Sequence, residues 1–127
     1  MITVEQRIKR KLAASVAAGI GQWADSPGAA LGKPIYHVKD GPVTLVLSEL
    51  GFTYDDSAQC FECPYDEIEV FTPATLVEIM RLHRDPRNFL TIKVKRRGVP
   101  APRELKLPVR VYSSVAPLLG RIVNELG

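Results

Sequence analysis

The two cysteines, Cys60 and Cys63, in the motif CFEC are the clearest candidates for chemistry in this chain. Two thiolates two residues apart can hold zinc or cycle between dithiol and disulfide. A redox pair usually lies at a helix N-terminus, whereas Pro64 and Tyr65 continue an extended, β-rich segment here. The Cα atoms of an extended segment at this spacing lie roughly 10 Å apart, too far for a disulfide. We therefore expect ordinary thiols in a strand and keep a thiol or zinc site as the lesser alternative.

The two histidines, His37 and His83, do not complete a zinc site with these cysteines, because their separations match no familiar ligand spacing. Neither histidine is near a serine in a nucleophile motif, and the sequence contains no P-loop and no G-x-G-x-x-G. We place His83 at the end of a short helix, where a positive charge suits the helix dipole. The sequence thus predicts no catalytic residue, no cofactor and a protein that is not an enzyme.

Six carboxylates are concentrated in the middle of the chain. Paired carboxylates can perform acid/base chemistry or bind calcium. Their spacing matches no calcium loop, and they flank predicted turns and solvent-facing strand positions, so a solvated face is expected. The six are Asp55, Asp56, Glu62, Asp66, Glu67 and Glu69.

Seven basic side chains near a predicted hairpin form the most suggestive binding surface, here called the basic set. Strand alternation places several of them on one exposed face, where they could contact an acidic protein partner or the phosphates of nucleic acid or an anionic membrane. No aromatic residues interleave with them to stack bases, and lysines on edge strands also discourage aggregation. All three interpretations stay open. The set is Lys93, Lys95, Arg96, Arg97, Arg103, Lys106 and Arg110.

The N-terminal segment is predicted to be a helix from Val4 to about Trp23. Thr3 and Gln6 fit a capping box, and apolar residues recur every four positions. Alanines widen the apolar face and permit close approach of another element, either in the same domain or in a second copy of the chain. The basic-then-alanine pattern also resembles a signal peptide ending at Ala24, although Glu5 argues against that interpretation.

After this helix the pattern changes to short β-rich runs separated by turns. Pro64 removes a ladder hydrogen bond, so the strand that contains it should either lie at a sheet edge or be broken there. A second capping box starts a short helix with Leu76, Ile79, Met80 and His83 on one face. The predicted strands are Ile35–Val38, Val43–Leu47, Phe52–Tyr54, the interrupted stretch Gln59–Phe71, and the hairpin Phe89–Lys95 with Arg103–Tyr112; a C-terminal helix begins at Ser113 or Ser114.

Length and composition indicate one folded domain. The chain has 127 residues, 46% hydrophobic and 24% charged, and a mild net charge of +3 that does not by itself imply nucleic acid. We divide it into an N-terminal helix (1–24), a proline- and glycine-containing linker (25–34) and an antiparallel β domain with a C-terminal helix (35–127). No apolar run is long enough to span a membrane. Two cysteines favour a reducing compartment, so we expect a cytoplasmic protein.

From about Ile35 to Leu126, the order of short strands and a terminal amphipathic helix resembles bacterial pleckstrin-homology-like domains, with the segments LVL, GFTY, PYDEI and LPV at residues 45–47, 51–54, 64–68 and 107–109. The resemblance implies a strongly bent sheet or small partly open barrel, α+β in class, closed by the C-terminal helix, and a non-catalytic adaptor role in binding proteins, peptides or lipid head groups. The first hairpin turn, 39–42, lacks a basic phosphate cradle, and the N-terminal helix is an addition. We therefore expect an interaction module for a protein or peptide partner.

Overall fold

A computed structural model describes residues 3–24, 30–82, 84–85 and 88–126. Within these residues the fold is α+β, and the strands form two antiparallel sheets, ordered β1-β2-β3-β4-β5 and β6-β7-β8, rather than a closed barrel. The helices are α1 (Val4–Ala17), α2 (Leu76–Leu82) and α3 (Val109–Leu126). The strands are β1 (Gln22–Trp23), β2 (Pro34–Asp40), β3 (Val43–Ser48), β4 (Gly51–Asp55), β5 (Cys60–Pro64), β6 (Ile68–Thr72), β7 (Phe89–Arg96) and β8 (Arg103–Pro108).

The first helix is shorter than the sequence predicted, because α1 ends at Ala17 and not near Trp23. The predicted capping box at its start is confirmed. Two glycines, Gly19 and Gly21, adopt a positive φ of 83° that other residues rarely adopt, and they turn the chain into the short strand β1. The Tyr36 hydroxyl donates a 2.7 Å hydrogen bond to the Ile20 carbonyl and fixes this turn. The helix therefore ends just before the glycines with left-handed backbone.

The first sheet contains the predicted strands. Its β2–β3 and β3–β4 pairs follow the expected hairpins, and Val43, Leu45 and Leu47 alternate into the core. The predicted interruption at Pro64 is confirmed, since β5 ends there and a 3-10 turn, Tyr65–Glu67, leads to β6 in the second sheet. Residues 25–29 of the predicted linker lie outside the described residues.

The second hairpin is confirmed in β7 and β8, but its last strand is shorter than predicted. We expected a strand to Tyr112, whereas β8 ends at Pro108 and α3 begins at Val109, before the predicted Ser113 or Ser114. Pro108 has no amide proton to continue the ladder. Buried residues then recur at the helical spacing of Val111, Val115 and the positions that follow.

The two terminal helices pack against each other as an antiparallel pair. Ile8 and Leu12 of α1 are fully buried, and a 3.0 Å hydrogen bond joins the hydroxyls of Ser15 and Ser114. At the other end of the pair, Arg7 of α1 forms an ion pair with Glu125 of α3. The buried face of α1 therefore has its partner within the same chain.

The two sheets are tied together through Tyr54 of β4. Its hydroxyl accepts a 3.1 Å hydrogen bond from the Lys106 amide on the edge of β8 and donates one of 2.7 Å to the Asp56 carboxylate. Gln59 adds a side-chain hydrogen bond to the Glu104 carbonyl on the same edge. The edge of β8 is thereby covered by side chains of the first sheet, as exposed strand edges generally require.

Candidate functional site

The predicted basic set does not form a single surface. Lys93, Lys95 and Lys106 lie on the outer face of the second sheet, because strand alternation turns their neighbours Ile92, Val94, Leu105 and Leu107 into the core. Glu104 faces Lys93 across the β7–β8 pair. The outer face is therefore of mixed charge and carries no converging cradle of cations.

Lys95 and two further members of the set are held by the acidic segment of β6 and the turn before it. Lys95 Nζ lies 3.3 Å from the Glu69 carboxylate, and Arg96 Nε lies 3.0 Å from that of Glu67. The hydrogen bond with Glu67 is the main cause of the raised pKa of Arg96. Arg97 donates to the Asp66 carbonyl at 3.2 Å. The predicted basic and acidic surfaces thus largely compensate each other.

The remaining two arginines lie apart. The Arg103 guanidinium carbon lies 5.5 Å from the centre of the Phe61 ring, in a cation–π contact. We predicted that Arg110 belongs to the hairpin, but it lies in the first turn of α3. There it forms a 2.7 Å ion pair with Asp40, at the end of β2.

The cysteines lie on a strand, and Cys60 is exposed whereas Cys63 is buried. Residues three apart on a strand point to opposite faces, so the two thiols do not converge. Burial raises the pKa of the Cys63 thiol to about 11, which disfavours the reactive thiolate. Among the described residues, no three potential metal ligands form a group. Cys63 lines a depression of about 90 Å³ with Arg96 and Arg103, smaller than the roughly 300 Å³ of typical ligand pockets.

Of the other chemistry-bearing side chains, Asp56 has a structural role. Its carboxylate accepts hydrogen bonds from the amides of Ala58 and Gln59 and from the Tyr54 hydroxyl, and the last of these is the main cause of its lowered pKa. It therefore organises the β4–β5 turn. His37 lies within β2, paired with Val46, and His83 lies outside the described residues.

An open apolar groove of about 820 Å³ runs between the end of β6, helix α2 and the outer side of α3. The apolar lining residues include Phe71, Ile79, Tyr112, Ala116 and Val123. Glu69, Arg121, Asn124 and Glu125 add polar groups to the lining.

Helix α2 is anchored to this groove by its ends and by few buried contacts. The amide of Ala74, just before it, donates a buried 3.0 Å hydrogen bond to the Tyr112 hydroxyl of α3. At its other end, the Asn88 side chain donates to the Leu82 carbonyl. No residue of α2 is fully buried, so the helix lies on the surface beside the groove.

The outward side of α2 is apolar. We predicted Leu76, Ile79 and Met80 as one inward face, but Leu76 and Met80 are 70% and 64% exposed, as is Val77 at 73%. At 3.6 residues per turn, Leu76, Met80 and Val77 follow Ile79 around the helix at about 60°, 100° and 160°. The apolar lining of the groove therefore continues onto the exposed surface of α2. We call the groove and these three side chains the α2–α3 surface.

Sequence reasoning missed this surface, because an amphipathic pattern shows that a helix has an apolar face but not whether that face is covered. The available signal was the angular spread of the apolar residues: Val77 lies about 160° around the helix from Ile79, too far to share one buried stripe with it.

Comparison of this chain with protein-family models, with curated proteins and with solved structures finds no match. None of the described helices combines the length and the hydropathy needed to cross a membrane.

Proposed function

We propose that this chain is a non-catalytic interaction module that binds an apolar segment of a partner protein on the α2–α3 surface. The observation that carries the proposal is the exposure of Leu76, Val77 and Met80 beside an apolar groove. Contiguous exposed apolar surface beside a cleft is a recurring mark of an interaction site in folded proteins.

The concave shape favours a protein segment over a membrane as the partner. A flat bilayer surface contacts the outward side of α2 but does not fill a groove whose walls are Phe71, Ile79 and Tyr112. A protruding helix or strand of a partner fills it and covers Leu76, which lies only about 60° around α2 from Ile79, as in helix-in-groove recognition.

The non-catalytic part of the proposal rests on what the reactive groups do. Asp56 caps a turn, the hydroxyls of Tyr54 and Tyr112 make structural hydrogen bonds, and Cys63 is buried as a neutral thiol. Binding of nucleic acid or an anionic membrane through the basic set has less support, because Lys95 and Arg96 have carboxylate partners.

Our proposal includes a pleckstrin-homology-like relationship and a cytoplasmic location. Two antiparallel sheets followed by a C-terminal helix are compatible with the first. Two free cysteines that do not converge are compatible with a reducing compartment.

A selection of short random peptides against the full chain tests the proposal. We expect amphipathic peptides rich in apolar side chains, whose binding Leu76→Asp weakens at least about tenfold, because a carboxylate would be desolvated in the complex. The matched control is Leu50→Asp, which changes an exposed apolar residue in the β3–β4 turn and should leave the affinity unchanged.

Three results would contradict the proposal. The selected peptides bind the Leu76 and Leu50 variants equally well, or they are acidic and depend on Lys93 and Lys106. Alternatively, sedimentation equilibrium shows that the chain alone forms a dimer that Leu76→Asp disrupts, which makes a second copy of the chain the occupant of this surface.

A further inference from the structure

A second concave surface lies where α3 meets α1, and it shares Pro117 and Arg121 of α3 with the groove of the α2–α3 surface. It is a cleft of about 370 Å³ with an apolar floor of Pro117 and Leu118, within the volume range of small-molecule sites, roughly 300–1,000 Å³. Its walls carry four cations: Arg7, Arg10 and Lys11 from α1 and Arg121 from α3.

Helix geometry explains why these cations converge. Arg7, Arg10 and Lys11 have the i, i+3, i+4 spacing of neighbours on one helix face. Burial of Ile8 and Leu12 fixes the rotation of α1 and directs that face along the edge of α3. The Ser15–Ser114 hydrogen bond and the Arg7–Glu125 ion pair set the longitudinal register of the two helices. The cleft is therefore built into the fold rather than formed by flexible loops.

The charge in this cleft is mostly uncompensated, in contrast to the basic set. Arg7 lies 2.7 Å from the Glu125 carboxylate. Arg10, Lys11 and Arg121 are exposed and form no ion pair with any described residue. Three cations around one small volume repel each other, and an anion bound between them removes that repulsion.

The density of charge identifies the class of anion. One carboxylate supplies a single negative charge, whereas one phosphate group carries about −1.5 to −2 at neutral pH and offers three acceptor oxygens. The guanidinium groups of Arg10 and Arg121 suit two-point hydrogen bonding to phosphate oxygens. We infer that the cleft between α1 and α3 binds a small, multiply charged phosphate compound. This inference does not rest on the proposed function: the cleft and the groove share Pro117 and Arg121, but Arg10 and Lys11 line only the cleft.

The test is calorimetric titration of the full chain with inorganic tripolyphosphate, in buffer of fixed ionic strength. We expect one saturable site. Arg10→Glu with Arg121→Glu should weaken binding at least about tenfold, because the variant loses two charge-assisted donors and gains two carboxylates that repel phosphate. The matched control is Lys93→Glu with Lys106→Glu on the outer face of the second sheet, which gives the same net charge and should keep the site.

A milder pair, Arg10→Gln with Arg121→Gln, covers the case in which the charge reversal unfolds the chain, and circular dichroism verifies the fold of every variant. Sedimentation with phosphatidylcholine vesicles that contain phosphatidic acid distinguishes the two sources of phosphate. Vesicle binding that the Arg10 and Arg121 changes abolish assigns the phosphate to a lipid head group; tripolyphosphate binding without vesicle binding assigns it to a soluble compound. Both results support the cleft as a phosphate site.

The inference is overturned if tripolyphosphate shows no saturable binding, or if the Lys93 and Lys106 variant loses as much affinity as the Arg10 and Arg121 variant. It is also overturned if a short poly-glutamate peptide binds the cleft more tightly than tripolyphosphate, because the ligand would then be an acidic peptide.

Discussion

The hydroxyl of Tyr112 on α3 accepts a buried 3.0 Å hydrogen bond from the amide of Ala74, and this bond joins the start of α2 to the C-terminal helix. Burial raises the pKa of Tyr112, so the hydroxyl stays protonated at neutral pH. Since α2 has no fully buried residue, this bond acts together with the partly buried side chains of Ile79 and Leu82 to hold α2 in place.

Replacing Tyr112 with Phe should therefore loosen α2. The Ala74 amide loses its acceptor, which costs about 1–3 kcal/mol when the group remains buried. Hydrogen exchange should become faster at the amides of residues 76–82, with smaller changes in β7 and β8. Equal acceleration throughout both sheets would show instead that Tyr112 supports the whole core.

The outward side of α2 should tolerate polar substitution without loss of stability. Leu76→Gln, Val77→Gln and Met80→Gln should each change the free energy of unfolding by less than about 0.5 kcal/mol, as exposed positions generally do. Urea denaturation measures this, with Leu45→Ala in the core as the destabilising control. A loss above about 2 kcal/mol from any of the three would mean that its side chain is covered.

The bridge between the sheets should depend on the Tyr54 hydroxyl. Tyr54→Phe leaves the Lys106 amide without its side-chain acceptor and Asp56 without its strongest donor. We expect a loss of about 1–3 kcal/mol in urea denaturation. Thr53→Val, at the neighbouring position of β4, is a control outside this network and should have a smaller effect. Equal stability of the Tyr54 variant and the wild type would show that the Tyr54 hydroxyl does not hold the two sheets together.

The two thiols should react at very different rates. Iodoacetamide at mildly alkaline pH should modify exposed Cys60 and leave buried Cys63 intact until the chain is denatured, as mass spectrometry would show. Equal rates for the two thiols in the folded chain would contradict their placement on opposite faces of β5.

Burial of Cys63 should also make the stability of the fold depend on pH in the alkaline range. The folded state raises the pKa of this thiol from 9.0 to about 11 and so favours the protonated form. Its contribution is complete below about pH 9 and is lost as the pH rises toward 11. Tyr36, whose pKa burial raises to about 12, adds to the decline. Cys63→Ala should therefore show a shallower fall in stability across this window than the wild type does.

Much of the fold follows from local sequence patterns. The alternation of Leu90, Ile92 and Val94 predicted β7, and Pro64 predicted the interruption between the sheets. The boundary between β8 and α3 did not follow, because Val109 and Val111 continue the alternation of β8 while also fitting the face of the helix. Two periods overlap there, and tertiary packing selects the helical one.

The surfaces were harder to predict than the elements. Arg96 and Glu67 are distant in sequence, and only the pairing of β6 with β7 brings them together to neutralise part of the basic set. Likewise, the apolar pattern of α2 does not reveal that α3 leaves Val77 uncovered. Such properties depend on contacts between elements, which local periodicity does not encode.

The measurement that tests the proposed function most directly is an amide chemical-shift titration of the full chain with a peptide obtained from the selection. We expect the shifts to concentrate in residues 71–82 and along α3 between Tyr112 and Asn124. Shifts concentrated instead between Lys93 and Lys106 would contradict partner binding at the α2–α3 surface. Contact of this surface with a second copy of the chain, persisting without peptide, would contradict it as well.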